Sequence, residues 1–187
     1  DALVVAIVRG AFEFQGQKCS AASRAYIPRS LWTRVREPLA SMTSDLKMGD
    51  VRDFRNFVNA VIDEREFKRI SGYIEHARAS SDSKILVGGK CDSATGYFIE
   101  PTVIVTDNPK SKTMVEEIFG PVLTVTVYED DKLGDALKLC DETYGYALTG
   151  AIFAQDRVAI AALAERLRHS AGNFYINDKP TGAVVGQ

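Results

Sequence analysis

The chain has 187 residues, of which 45% are hydrophobic and 26% are charged. A chain of this size buries roughly 68–70% of its unfolded surface, which is enough for one domain with a real core, and the composition excludes a disordered or collagen-like protein. The 23 basic and 25 acidic residues give a formal net charge of −2, which argues against a nucleic-acid-binding face or a polybasic membrane patch. No stretch approaches the roughly 20 apolar residues of a membrane-spanning helix.

Apolar residues at helical spacing predict five helices. These windows are Leu3–Phe14, Leu31–Leu46, Phe67–Ala77, Leu133–Cys140 and Ile160–Leu167. Ser30 is the expected N-cap of the second helix, and Pro38 should kink that helix or delay its start. Asp63 and Glu66 form a capping-box pattern before the third helix. Asp130 and Asp156 precede the fourth and fifth helices.

Short β-branched or apolar runs between these helices predict strands. The runs are 25–27, 85–87, 103–105, 122–128, 148–153 and 174–176. Strands separated by helices of this length predict an α/β fold, a mainly parallel twisted sheet with helices on both faces. Ligands in such sheets are expected at the carboxyl ends of strands and in the adjoining loops.

The cysteines and the chain ends indicate the redox compartment and whether the chain is part of a longer polypeptide. Cys19, Cys91 and Cys140 are too sparse for a disulfide framework and lack the close spacing of a zinc site, so we expect no metal and a reducing compartment. The chain begins at Asp1 without methionine and ends at Gln187 without a polar tail. We therefore expect it to be a segment of a longer polypeptide.

The first stretch with residues that could take part in chemistry surrounds Cys19, between a predicted helix and a predicted strand. Small residues at 20–23 would allow a substrate close to the thiol, and the charge of Lys18 favours the thiolate, which is the attacking species. The pattern also fits a buried structural cysteine. Cys91 lacks such surroundings, and we expect it in a loop. A hydrolase would need a histidine base, but His76 and His169 lie near helix ends, where solvated histidines are common, so a Cys/His protease is poorly supported.

The second stretch is Glu116-Glu117-Ile118-Phe119-Gly120-Pro121-Val122. A carboxylate in this position can accept hydrogen bonds from a ribose diol, and an aromatic ring can pack on a flat cofactor ring. Taken alone, the stretch is better explained as a solvated acidic loop with a phenylalanine in the core.

Together the two stretches resemble the aldehyde dehydrogenase superfamily. Gly16-Gln17-Lys18-Cys19-Ser20 resembles the nucleophile motif of that superfamily, and Glu116 to Val122 resembles its second hallmark, about a hundred residues further on. The stretches 12–24, 170–179 and 181–187 are similar to the 1-pyrroline-5-carboxylate dehydrogenase family, which oxidises L-glutamate γ-semialdehyde to glutamate in proline catabolism. The resemblance covers the whole chain and implies that residues 1–187 are a catalytic domain whose cofactor-binding lobe is absent.

The resemblance implies a catalytic role for Cys19. Its thiolate would add to the aldehyde, the Cys19 N–H and an upstream side-chain amide would hold the oxyanion, and loss of a hydride to NAD would leave a thioester for water to hydrolyse. The base of that family lies upstream of residue 1, so neither Glu13 nor Glu117 is expected to act as the base. We therefore expect the isolated segment to be inactive.

The resemblance also implies binding roles. Glu117 would hold the nicotinamide ribose of NAD with Phe119 beside it, while Glu116 would be structural. The Ser20 hydroxyl and the N–H groups of Gly182 and Ala183 would bind the substrate carboxylate, although some relatives place serine where this chain has Ala183.

Several alternatives stay open at this point. The choice between NAD and NADP is made largely outside the chain. The resemblance implies a small aldehyde as substrate, with another semialdehyde as one alternative to glutamate semialdehyde, and we expect neither nucleic acid nor a membrane as partner. A protein that keeps the fold without catalysis is another. The family is oligomeric, and both a bacterial cytoplasm and a mitochondrial matrix fit a reduced enzyme.

Overall fold

The computed structural model describes residues 2–181 and contains one main sheet of four strands in the order β1-β6-β5-β2. β1, β6 and β5 run parallel, and β2 pairs antiparallel to β5 at the edge. A parallel pair β7-β8 and a short hairpin β3-β4 complete the strands. The strands are β1 (Arg24–Pro28), β2 (Ser83–Val87), β3 (Cys91–Asp92), β4 (Phe98–Ile99), β5 (Thr102–Thr106), β6 (Val122–Tyr128), β7 (Thr149–Ile152) and β8 (Asn173–Ile176).

Within residues 2–181, six α-helices accompany these strands. They are α1 (Ala2–Phe12), α2 (Arg29–Ser44), α3 (Glu64–Ala79), α4 (Lys112–Val115), α5 (Leu133–Glu142) and α6 (Arg157–Arg166). No helix within residues 2–181 combines the length and the apolar character needed to cross a membrane.

Helices cover both faces of the main sheet because neighbouring residues of a strand point to opposite sides. On β5, Val103 packs with α1 and α2, whereas Ile104 packs with Ile70 and Ile74 of α3. These four residues are buried in two apolar clusters, one on each face of the sheet. The predicted α/β architecture, its six strands and its five helices are therefore confirmed.

The helix starts follow local capping in two cases and a distant contact in a third. Asp63 caps α3 by accepting the Glu66 N–H, and Asp156 caps α6 by accepting the N–H groups of residues 158 and 159. Ser30 is not the N-cap of α2, because the helix already begins at Arg29 after Pro28. The Ser30 N–H instead donates to the Asp130 carboxylate at 3.1 Å, a contact that local sequence does not reveal.

Three other expectations need correction. α2 begins well before Pro38 and continues through it, so Pro38 does not delay the start. Phe14 does not share the face of α1, because its φ of 54° turns the chain out of the helix and leaves its side chain 74% exposed. Cys91 is not in a loop but in β3, next to the cluster under α3.

The sheet places the two candidate reactive stretches, around Cys19 and Glu116–Gly120, at the amino ends of its strands. The loop that carries Cys19 leads into the amino end of β1, and the Glu116–Gly120 loop leads into the amino end of β6. Because β1 and β6 are parallel neighbours, both loops emerge at the same edge of the sheet. The expectation of a site at the carboxyl ends of the strands is therefore wrong for these residues.

Candidate active site

A tight reversal of the chain positions Cys19. Directly after α1, a single 3-10 turn spans Glu13–Gly16, and Phe14, Gln15 and Gly16 have φ values of 54°, 57° and 64°. These left-handed conformations end the helix and redirect the backbone toward β1. Farther along, the Ala22 N–H donates to the Gly10 carbonyl at 2.9 Å, which returns the loop to α1.

Two glutamine side chains hold this loop against the segment before α3. Gln15 Oε1 accepts the Asn59 N–H at 3.2 Å, and Gln17 Oε1 accepts the Ile62 N–H at 3.0 Å. The backbone on either side of Gly16 is therefore fixed by contacts with residues more than 40 positions away.

The cysteine loop is packed directly on the Glu116–Gly120 loop. A Cβ on Gly16 would lie 2.2 Å from the Gly120 oxygen, 2.7 Å from the Gly120 carbonyl carbon and 2.8 Å from the Ala11 oxygen. Only a residue without a side chain permits this approach. The two loops therefore share one rigid contact, made by their backbones.

Side chains of α3 hold the Glu116–Gly120 loop from its other side. The Arg69 guanidinium donates to the Glu117 carbonyl at 3.1 Å and to the Ile118 carbonyl, and it pairs with Glu66 at 2.7 Å. Such a fork of donors fixes two successive peptide groups. Phe119 follows with a φ of 52°.

Tyr73, one turn further along α3, binds the first acidic side chain of the loop. Its hydroxyl donates to Glu116 Oε2 at 2.6 Å, and the Lys112 ammonium lies 4.9 Å from the centre of its ring. Burial, followed by the hydrogen bond to Glu116 and the negative charge of that carboxylate, raises the pKa of the Tyr73 phenol. Glu116 is thus engaged in a structural contact.

The loops border one cavity of about 310 Å³. Cys19, Glu117 and Phe119 all line it, so the structure brings these three predicted residues together. The Cys19 residue and the Glu117 residue are exposed, whereas Phe119 is half-buried. A reactant of small size can therefore reach the thiol and the carboxylate from the same opening.

The other two thiols have different surroundings. Cys140 is half-buried, and burial raises its pKa. Cys91 is also half-buried, and burial raises its pKa as well. Because the thiolate is the nucleophilic form, both are poorer nucleophiles than an exposed cysteine.

Glu13 is surrounded by cations. Its carboxylate lies 2.8 Å from the Lys179 ammonium, 2.5 Å from the Arg9 guanidinium and 3.5 Å from the Lys18 ammonium. Partial burial alone would raise the pKa of Glu13, but hydrogen bonds from Lys179 and Arg9 outweigh it and lower the pKa. An ionised carboxylate engaged in this way is a poor general base.

The predicted substrate-binding residues are only partly described. The Ser20 hydroxyl is hydrogen-bonded to the Thr181 hydroxyl at 2.8 Å. Gly182 and Ala183 lie outside the described residues. The role of Ser20 stays a prediction.

Four site residues escape prediction from the sequence. Arg24 and Tyr144 line the cavity, with the Arg24 guanidinium 5.7 Å from the centre of the Tyr144 ring. Arg69 and Tyr73 act from α3. A polar face on the amphipathic α3 is visible in the sequence, but such faces are usually solvated, and no local signal links them to residues more than 40 positions away.

Within the part of the chain that the structure describes, no group of three histidine, cysteine or acidic side chains is placed to hold a metal ion. The arrangement of an accessible thiol, a carboxylate and an aromatic ring around one cavity suits covalent addition of the thiol to an electrophile beside a bound ring system.

Comparisons with known proteins agree with this arrangement. The sequence profile of the aldehyde dehydrogenase family matches residues 1–187. The chain is 59% identical over 180 residues to the mitochondrial delta-1-pyrroline-5-carboxylate dehydrogenase of Dictyostelium discoideum, covering 96% of this chain and 32% of that protein. It is 50% identical over 188 residues to the mitochondrial enzyme of that name from Homo sapiens, covering 100% of this chain and 33% of that protein.

Solved structures give the same result. The delta-pyrroline-5-carboxylate dehydrogenase of Mycobacterium tuberculosis bound with NAD superposes with a TM-score of 0.92 at 46% identity, over 100% of this chain and 34% of that one. The 1-pyrroline-5-carboxylate dehydrogenase from Thermus with bound NAD gives a TM-score of 0.87 at 33% identity, over 99% and 34%. The chain thus spans about a third of the length of these relatives, and it belongs to the aldehyde dehydrogenase family.

Proposed function

We propose that this chain is the catalytic domain of an enzyme that oxidises L-glutamate γ-semialdehyde to L-glutamate with NAD as the hydride acceptor. The observation that carries the proposal is the shared cavity, in which Cys19 and Glu117 meet through loops fixed to each other at Gly16 and Gly120. Relatives with 50–59% identity are named delta-1-pyrroline-5-carboxylate dehydrogenase, which favours this substrate over another semialdehyde or loss of catalysis.

Cys19 is the nucleophile in this proposal. Its thiolate attacks the aldehyde carbon to form a thiohemiacetal, and the carbonyl oxygen becomes an oxyanion. No acceptor within residues 2–181 takes the Cys19 N–H, so this group is available to donate to the oxyanion. After oxidation the resulting thioester is hydrolysed by water, with a base supplied from outside this chain.

Glu117 and Phe119 fit one end of the cofactor. The exposed Glu117 carboxylate offers two acceptors for a ribose diol, and the half-buried Phe119 ring offers an apolar surface for a flat ring, both at the cavity that contains Cys19. A cavity of about 310 Å³ accommodates only part of a dinucleotide, so the remainder is held elsewhere. When bound, NAD supplies the acceptor for the hydride of the substrate.

Substrate recognition is assigned to the loop after β8. In the proposal, the Ser20 hydroxyl and the N–H groups of Gly182 and Ala183 bind the substrate carboxylate. The hydrogen bond between the Ser20 and Thr181 hydroxyls supports it, since Ser20 thereby lies next to the residue that precedes Gly182 in the sequence.

The proposal extends to the setting of the enzyme. Residues 1–187 form the catalytic domain of a longer, oligomeric enzyme that acts on a small aldehyde. Relatives from eukaryotes are named mitochondrial, which supports the mitochondrial matrix for a eukaryotic source; a bacterial source implies the cytoplasm.

Substrate preference in the full-length protein tests this function. We expect kcat/KM with NAD to be about 100-fold or more higher for L-glutamate γ-semialdehyde than for propanal, because the simple aldehyde has no carboxylate for the proposed donors to bind. NADH formation measures both reactions. Equal kcat/KM values would contradict the proposed substrate.

Replacing Arg69 tests how the loop of Glu117, the carboxylate proposed to bind the cofactor ribose, is held. We expect Arg69→Ala in the full-length protein to raise the Kd for NAD by about tenfold, because two carbonyls of the Glu117 loop lose their charged donor. Titration calorimetry with NAD measures this change. Arg65→Ala is the matched control, since Arg65 is an exposed arginine on the same helix. An unchanged Kd in Arg69→Ala would show that α3 does not position Glu117.

A further inference from the structure

An ion pair joins the cysteine loop to the segment that leads toward Gly182. The Lys179 ammonium contacts both oxygens of Glu13, at 3.0 and 2.8 Å, across 166 positions of sequence. The side chains of Glu13 and Lys179 are only 14% and 27% exposed. A pair that is largely shielded from water restrains its partners more than a surface pair does.

Two further contacts seat the same segment. The Ser20 and Thr181 hydroxyls form a hydrogen bond, with their oxygens 2.8 Å apart. Gly10 leaves room for the segment on α1, because a Cβ there would lie 3.1 Å from Pro180 Cδ and 3.7 Å from Lys179 Cβ. The segment 179–181 is thus held by an ion pair, by a hydroxyl pair and by packing, through contacts with α1 and with the turn that carries Cys19.

We propose that Glu13 is a positioning residue that sets the affinity for the carboxylate of the substrate without touching the substrate. Its ion pair with Lys179 fixes the segment 179–181 against Ser20, and so orients the Ser20 hydroxyl, the described member of the proposed carboxylate-binding group, next to Cys19. The proposal rests on the proposed function, since it concerns recognition of a carboxylate-bearing aldehyde.

A purely electrostatic role for the same residues predicts a different pattern. Lys179, Lys18 and Arg9 surround the single Glu13 carboxylate, so positive charge is in excess there. If only this charge mattered, Glu13→Gln would strengthen binding of an anionic substrate and Lys179→Met would weaken it. If Glu13 positions the segment, both substitutions weaken binding because each breaks the same restraint.

The experiment compares Glu13→Gln and Lys179→Met in the full-length protein with saturating NAD. We expect each variant to raise the KM for L-glutamate γ-semialdehyde by about tenfold, while kcat and the KM for propanal stay within about twofold of wild type. The reversed pair Glu13→Lys with Lys179→Glu should recover part of the loss. Glu129→Gln is the matched control, since Glu129 forms an exposed ion pair with Arg29 at 2.8 Å, at the other end of β1.

The outcomes separate this proposal from the proposed function. A wild-type enzyme without preference for the glutamate aldehyde would overturn the proposed function and this inference with it. A preference that Glu13→Gln and Lys179→Met leave unchanged would overturn the inference alone, as would a lowered KM in Glu13→Gln. Should Glu13→Gln fail to fold, Glu13→Asp takes its place, because it keeps the negative charge but shortens the side chain that reaches Lys179. A raised KM in Glu13→Asp supports the restraint, and an unchanged KM overturns the inference.

Discussion

Replacing Cys19 with alanine in the full-length protein is expected to lower the rate of NAD-dependent aldehyde oxidation by about 10⁴-fold or more. The reason is chemical: without the sulfur no covalent adduct forms, and losses of this size are typical when a nucleophile is removed. Because Cys19 is exposed in a loop, the fold should be retained. Circular dichroism and NAD binding by the variant check this point.

The other cysteines provide controls for this prediction. Cys91→Ala and Cys140→Ala remove half-buried thiols whose pKa values burial raises, and we expect both variants to keep most of their activity. Full activity in Cys19→Ala would exclude the proposed mechanism. Loss of activity in a folded Cys140→Ala variant would contradict the assignment of Cys19, rather than Cys140, as the nucleophile.

Gly16→Ala is expected to disrupt the site and the fold together. The new methyl group would meet three backbone atoms at 2.2, 2.7 and 2.8 Å, and the φ of 64° already disfavours a side chain. Backbone atoms cannot rotate away as a flexible side chain can, so we expect a loss of about 3 kcal/mol or more in the free energy of unfolding, together with loss of activity. Urea unfolding followed by circular dichroism measures the stability.

Gly72→Ala is the matched control for this substitution. Gly72 lies in α3, is exposed and has no heavy atom within 4 Å of a built Cβ. Alanine in a helix interior gains about 0.5–1 kcal/mol over glycine, so this variant should be as stable as wild type or more stable. A Gly16→Ala variant with a wild-type unfolding midpoint would refute the backbone contact between the two loops.

The regular elements could be predicted because their signals are local. The β-branched run 122–128 coincides with β6, and the caps Asp63 and Asp156 mark the starts of α3 and α6. Each signal depends on residues within a few positions of one another. This is the range over which periodicity and capping act.

What could not be predicted depends on contacts between distant segments. Ser30 is bound by Asp130 across 100 positions, and Arg69 reaches the Ile118 carbonyl across 49. The edge of the sheet at which the loops meet follows from the parallel pairing of β1 and β6, which a strand pattern does not specify. The chain reversal at Phe14 could not be predicted, because Phe14 is apolar and fits the helical spacing of α1 although its backbone is left-handed.

The proximity of Cys19 and Glu117 was implied by family resemblance rather than by pattern. Each stretch alone fitted a buried cysteine or a solvated acidic loop. The structure places both residues at one cavity, while their chemical roles stay proposals.

Site-resolved alkylation of the full-length protein tests the central claim, that Cys19 is the reactive thiol at the cofactor cavity. The protein is treated with limiting iodoacetamide, the modified peptides are quantified by mass spectrometry, and residual NAD-dependent activity is measured in the same samples. We predict that Cys19 is modified first and that activity falls in proportion to its modification. Modification of Cys91 or Cys140 ahead of Cys19, or full activity after Cys19 is modified, would contradict the account.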